Sequence, residues 1–242
     1  MSGHSKWSTI KRQKAVVDAK RGAAFTKLAN VITVAAKEGG DPEMNPALKS
    51  AIEQAKEANM PKNNIERAIK KGTGELAGAE VEEIFYEGIG PGNSQFVVKC
   101  LTDNKNRSVA TLRHIFTKYG GSLASVIWNF NLYGIIKFSL SELSRNKINL
   151  ENLQLELIDK NIVDFKKSSE GIVILTVVKD LSEISKFLKN QGIHLDSSEV
   201  GYSAKEKQEV SDTEKEKLDK FLAELEDNED VNNYYHNIEN IL

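Results

Sequence analysis

Seven basic side chains, Lys6, Lys11, Arg12, Lys14, Lys20, Arg21 and Lys27, crowd the first 27 residues against one acid, Asp18. Cations at this density, with little apolar surface between them, cannot fold by themselves. They call for a polyanion, and the phosphates of nucleic acid fit that chemistry. His4, Ser5 and Trp7 stand near the tip, where an imidazole and an indole offer stacking surface to unpaired bases. Trp7 equally suits a core anchor for a helix that starts at Ser8. The candidate nucleic-acid contacts are therefore His4, Ser5, Lys6, Trp7, Lys11, Arg12, Lys14, Lys20, Arg21 and Lys27. The competing reading is a solvated helix face, or an arm that docks on the acidic C-terminal region.

A candidate second surface lies on a predicted helix over Asp103 to Tyr119. Arg107, Thr111, His114 and Lys118 recur at i, i+4, i+7 and i+11, Arg113 flanks them, and Asp103-Asn104 supplies a cap. A solvated face explains the same spacing. The segment from Pro61 to Gly72 invites a helix-turn-helix reading, with Lys62, Asn63, Arg67 and Lys70 outward. Its first turn lacks the Arg, Gln and Asn cluster that reads base edges, so these helices are read as positioning the arm.

Other chemistry is thin. Gly88 to Gly92 has neither the Lys-Ser/Thr of a P-loop nor a dinucleotide fingerprint, and reads as a hairpin turn. His4, His114, His194 and His236 fit no metal-ligand spacing. The lone cysteine, Cys100, sits in an apolar run and reads as core. The carboxylates around Glu226 read as a polar helix end. No catalytic residue, metal, cofactor or small-molecule substrate is expected, and the chain is not read as an enzyme.

The elements that must hold the arm follow from periodicity. Phe25, Leu28, Ala29, Ile32, Ala35 and Ala36 mark a helix stopped by Gly39-Gly40; Asn45-Pro46 opens a second, and Pro61 a third that ends at Gly72. Beyond a linker at residues 75–80 the period shifts toward two. Ile84–Tyr86, Gln95–Leu101, Leu123–Phe130 and Gly134–Leu140 read as strands, with the Asp103–Tyr119 helix between the second and third. Leu150, Leu153 and Leu157 mark a helix, Ile162–Phe165 and Ile172–Val178 strands, Leu181–Leu188 a helix and His194–Val200 a strand. From Gly134 this order is the β-α-β-β-α-β of a ferredoxin-like sandwich. A helix through Leu218, Phe221, Leu222 and Leu225, then a strand over Val231–Ile238, would complete the middle block. The expected fold is α+β: a basic arm and three-helix bundle over 1–75, then two ferredoxin-like α/β domains, one over 80–131 and 205–242 and the other over 133–203 inserted into it.

Charge is asymmetric. The whole chain carries −2, but residues 1–75 stand near +6 and the remainder near −8. Such a dipole presents one end to nucleic acid and keeps the other away. Without a signal-like core or a run of about 20 apolar residues, no membrane partner is expected, and the reading is cytoplasmic.

Gly3-His4-Ser5-Lys6-Trp7, Lys14-Ala15 and Asp18-Ala19-Lys20-Arg21-Gly22 resemble the opening of the YebC/PmpR family. Tyr86-Glu87-Gly88, Gly90-Pro91-Gly92, Asp103-Asn104 with Asn106-Arg107, Gly120-Gly121, Leu225-Glu226-Asp227, Asp230-Val231 and Tyr235-His236-Asn237 extend the likeness nearly end to end. One departure falls between Gly121 and Trp128, where the family has a slightly longer Asp-Gly-Ser turn. The resemblance implies three domains, no catalytic residues and no cofactor. It implies transcription regulation by DNA binding, as bacterial members are described. The alternative it carries is a ribosome-associated translation factor that binds ribosomal or messenger RNA, since the family includes a mitochondrial translational activator. The physics of a basic arm with His and Trp leans toward folded RNA, and no dimerisation seam is visible.

Overall fold

The computed structural model describes residues 19–168 and 171–239; the side chains of 19–21 are outside that description. The chain forms two compact units. One holds the described residues of Ile127–Glu209 and those from Tyr235 to Glu239; the other holds the described residues up to Val126 together with Val210–Tyr234.

In the second of these, α1 (Ala19–Ala36), α2 (Pro46–Glu57) and α3 (Lys62–Gly72) share a core of Ile32, Ala36, Leu48, Ala51, Ile52, Ala55, Met60, Ile65 and Ala68. Asn45 joins the first two: its Oδ1 accepts from the Leu48 N–H at 3.0 Å, and its Nδ2 donates to the carbonyls of Ala35 and Gly39, both at 2.8 Å. The alanines let the helices approach closely, and Gly72 marks the tightest point. A Cβ there would run into the Thr33 carbonyl and the Ala36 methyl. Gly72→Ala is therefore expected to destabilise. Overpacking costs about 3 kcal/mol, whereas the helix-propensity gain is at most about 1 kcal/mol. Urea denaturation should show a net loss of about 2 kcal/mol.

The sheet has the order β3-β1-β2-β8, built from β1 (Glu82–Ile89), β2 (Gln95–Thr102), β3 (Ser122–Leu123) and β8 (Val231–His236), whose residues up to Tyr234 belong to this unit. The helices α4 (Lys105–Lys118) and α8 (Asp212–Asp227) complete it. β1 and β2 pair antiparallel across Gly90–Ser94, where Gly92 takes φ +66°. Gly88 and Ile89, read from sequence as turn, belong to the strand. Because that connection is too short for a crossover, this half begins with a hairpin and departs from the β-α-β-β-α-β order. The expected strand over Leu123–Phe130 does not form. Only Ser122 and Leu123 pair with β1, after which the Glu87 carboxylate takes the Val126 N–H at 2.7 Å and the Ser125 hydroxyl at 3.1 Å. Side-chain acceptors replace the ladder and turn the chain out of the sheet.

The other unit carries β4 (Phe130–Phe138), α5 (Leu140–Arg145), α6 (Leu150–Asp159), β5 (Asp164–Lys167), β6 (Ile172–Thr176), α7 (Leu181–Asn190) and β7 (Ser197–Ala204). Its sheet order is β5-β6-β4-β7, with the β4–β6, β4–β7 and β5–β6 pairings antiparallel. β4 begins at Phe130, four residues before the expected Gly134. β7 begins at Ser197, three after the expected His194. The Glu142 carboxylate on the unanticipated α5 accepts the His194 N–H at 2.9 Å, which keeps that stretch a loop. Ile136, Phe138, Ile172 and Ile174 face Leu153, Leu157, Ile184 and Leu188 to form the core.

Candidate nucleic-acid interface

His4, Ser5, Lys6, Trp7, Lys11, Arg12 and Lys14 lie outside the described residues. Lys20 and Arg21 fall in the first turn of α1, the helix that follows the arm. Lys27 is put to another use. Its Nζ donates to the main-chain carbonyl of Glu226, at the C-terminal end of α8, where a cation also complements the helix dipole. One turn on, Asn30 Nδ2 donates to the Leu101 carbonyl at 3.1 Å. Two side chains thus anchor the arm-bearing helix to α8 and β2 of the same unit.

On α4 the predicted cap is present: Asn104 Oδ1 accepts from the Arg107 N–H at 3.0 Å. The proposed cationic row is realised in position but two of its members are engaged. Arg107 meets Asp230 through Nε at 3.3 Å and Nη2 at 2.8 Å, and Asp103 at 3.2 Å. Hydrogen bonding to Asp230, then its charge, pushes the guanidinium further up. Ser108 Oγ adds a third bond to Asp230 at 2.8 Å. Lys118 lies 2.7 Å from Glu224, whose carboxylate also accepts from the Tyr119 hydroxyl at 2.9 Å. The hydrogen bond from Lys118 is the largest influence holding Glu224 below the usual carboxylate range. Arg113 and His114 are exposed between these pairs. A phosphate meeting this face must compete with carboxylates at Arg107 and Lys118, whereas Arg113 and His114 present themselves outward.

The outward face of α3 keeps Asn63, Arg67 and Lys70 exposed. Lys62 pairs with Glu66 at 3.5 Å, and Lys71 with Asp103 at 3.8 Å. Cys100 is fully buried on β2, and burial pushes its thiol up to about 12. His236 is buried with its Nδ1 accepting from the Ile238 N–H at 3.2 Å. Among the described residues no group of three or more His, Cys, Asp or Glu could hold a metal ion, and no helix is long and apolar enough to cross a membrane. Sequence reasoning missed Asp230, which ties β8 to α4. An acid between turn and strand carries no local signal of partners more than a hundred residues away.

Two family models match the chain: the TACO1/YebC protein N-terminal domain over residues 5–75, and the TACO1/YebC second and third domain over residues 81–238. The chain belongs to the TACO1/YebC family. The likeness read from the Gly-His-Ser-Lys-Trp opening and its companion motifs is thereby shown. A relative from Thermotoga maritima is 46% identical over 244 residues, covering 99% of this chain and 94% of its own. One from Thermoanaerobacter pseudethanolicus is 45% identical over 243 residues, covering 99% and 97%. Both are named "probable transcriptional regulatory protein". The crystal structure of a conserved hypothetical protein from Aquifex aeolicus superposes with a TM-score of 0.81 at 38% identity, covering 93% of each chain. The chain's own fold is α+β, with helices and two four-stranded sheets.

Proposed function

We propose that this chain is a non-enzymatic, nucleic-acid-binding regulatory protein of the cytoplasm, with the basic arm and the start of α1 as its main contact. The carrying observation is the excess of seven cations over one acid in residues 1–27 of a chain whose net charge is −2. The names of its relatives support a transcriptional regulator bound to DNA. In architecture, the reading is a three-helix bundle that presents the arm, followed by two α/β domains, the third inserted into the second. Entry and return of the chain between compact units near residues 126 and 210 support the insertion.

A second reading is a translation factor bound to ribosomal or messenger RNA. It is favoured by the exposed face of α3, where the Lys62–Glu66 pair and the isolated Arg67 and Lys70 lack a base-edge reader's cluster, and by the stacking capacity of His4 and Trp7. Sucrose-gradient fractionation of a cell lysate, with and without RNase, tests the two readings using the full chain beside a form lacking the arm. Comigration with ribosomal particles that depends on the arm and disappears with RNase supports the RNA reading. Protein that stays at the top of the gradient but crosslinks to genomic DNA supports the DNA reading. Absence of both associations refutes the proposal.

A further inference from the structure

Among the helices packed on the β5-β6-β4-β7 sheet, α6 turns an unusual face to solvent. Leu153 and Leu157 point into the core. At 3.6 residues per turn the opposite face carries Glu151, Leu155, Ile158 and Asp159, and all four are exposed. Leu155 is 62% exposed and Ile158 53%. The outward side of a helix ordinarily holds polar residues. The neighbouring α7 obeys that rule, with Ser182, Glu183, Lys186 and Lys189 exposed.

The charges of α6 are equally out of place. α5 and α7 carry Arg145 and Lys189 in their last turns, where a cation suits the negative end of the helix dipole. The last turn of α6 has no cation and holds Asp159 instead. Its capping residue, Lys160, is drawn away, with Nζ 3.5 Å from Glu183 and 4.9 Å from the centroid of the Phe187 ring. Glu151, Glu156 and Asp159 are exposed and form no ion pair among the described residues. Exposed apolar side chains and an aspartate against the dipole contribute nothing to the isolated fold. Both suit a partner that covers them.

We propose that this face docks a cationic amphipathic helix of a partner protein. Leu155 and Ile158, about one turn apart, form the apolar centre. Glu151 and Asp159, about 12 Å apart along the axis, pair with lysines or arginines at its two ends. A helix that fits has two large apolar residues three positions apart, set between cations eight positions apart. Charge complementarity selects this occupant, because the acidic rim repels nucleic acid and acidic peptides. The inference does not depend on the nucleic-acid reading of the arm.

The probe is a synthetic fluorescent helix of that pattern, alanine-rich with two leucines and flanking lysines, titrated with the full chain at low salt. A second peptide has glutamate in place of each lysine. The lysine peptide is expected to bind and the glutamate peptide to remain free. Leu155→Gln should weaken the complex by about 10-fold or more. Asp159→Lys should weaken it several-fold and flatten its salt dependence. Glu151→Lys combined with Asp159→Lys should transfer the preference to the glutamate peptide. Thermal unfolding should occur no lower in these variants than in the parent, and a lower transition in Leu155→Gln would mean that Leu155 serves the fold itself and overturn the proposal. A lysine peptide that fails to bind, or binds the Leu155→Gln chain equally, also overturns it. So does a chain that sediments as a dimer dissociated by Leu155→Gln, because a second copy then occupies the face.

Discussion

Replacing Lys11, Arg12 and Lys14 together by glutamate is expected to weaken nucleic-acid binding by on the order of 10²- to 10³-fold at about 0.1 M salt. Each phosphate contact contributes about 0.9 to the log–log salt slope on duplex DNA, so three lost contacts lower that slope by about 2.7. The glutamates add repulsion, which makes the larger figure the better guide. The measurement is a fluorescence titration of labelled duplex DNA and of structured RNA across a salt series, with thermal unfolding followed in parallel. Stability should change little. Binding that is undiminished, with an unchanged salt slope, would remove the arm from the interface and leave α3 and the Arg113–His114 face to be tested in its place.

The second large effect concerns folding. Phe221 is fully buried. It makes T-shaped contacts with Phe96 and Phe116 at centroid distances of 5.0 Å, and with Tyr119 at 5.8 Å. Phe221→Ala removes a ring that these neighbours cannot collapse to fill. The loss is expected to be about 4 kcal/mol, a large share of the roughly 5–15 kcal/mol that holds a typical domain. Met44→Ala, at a side chain 82% exposed, should stay within about 0.5 kcal/mol. Denaturant titration of both variants gives the contrast. A Phe221→Ala protein within about 1 kcal/mol of the parent would mean that α8 is not an integral part of the β1–β2 core.

Elements with a strong local signal were legible in the sequence. The Asn45-Pro46 start of α2 carries both a side-chain acceptor and a fixed φ, and the structure uses the Asn45 oxygen as a cap. The Asn104 cap of α4 and the Gly39-Gly40 stop after α1 belong to the same kind, since each depends on groups within one turn. Cys100 was legible as core because apolar residues flank it. The segment Leu123–Phe130 was misread because its β propensity is overruled by Glu87, a residue more than thirty positions earlier that captures the Val126 N–H. Propensity holds no information about such an acceptor.

The candidate interface divides along the same line. The sequence by itself determined that the N-terminal 27 residues are a cationic segment, because charge density is additive along the chain and needs no fold to be counted. It also determined the family, through motifs spread over the whole length, and the α+β class, through the change of period near residue 80. Tertiary structure alone decided which cations are already engaged. Lys27 closes on the end of α8, Arg107 on Asp230 and Lys118 on Glu224, while Lys207 is brought to Glu239. The reason is that a side chain's charge is set by its composition, whereas its partner is set by strand register and helix docking. Those depend on apolar packing between segments far apart in the chain, such as Phe96, Phe116 and Phe221.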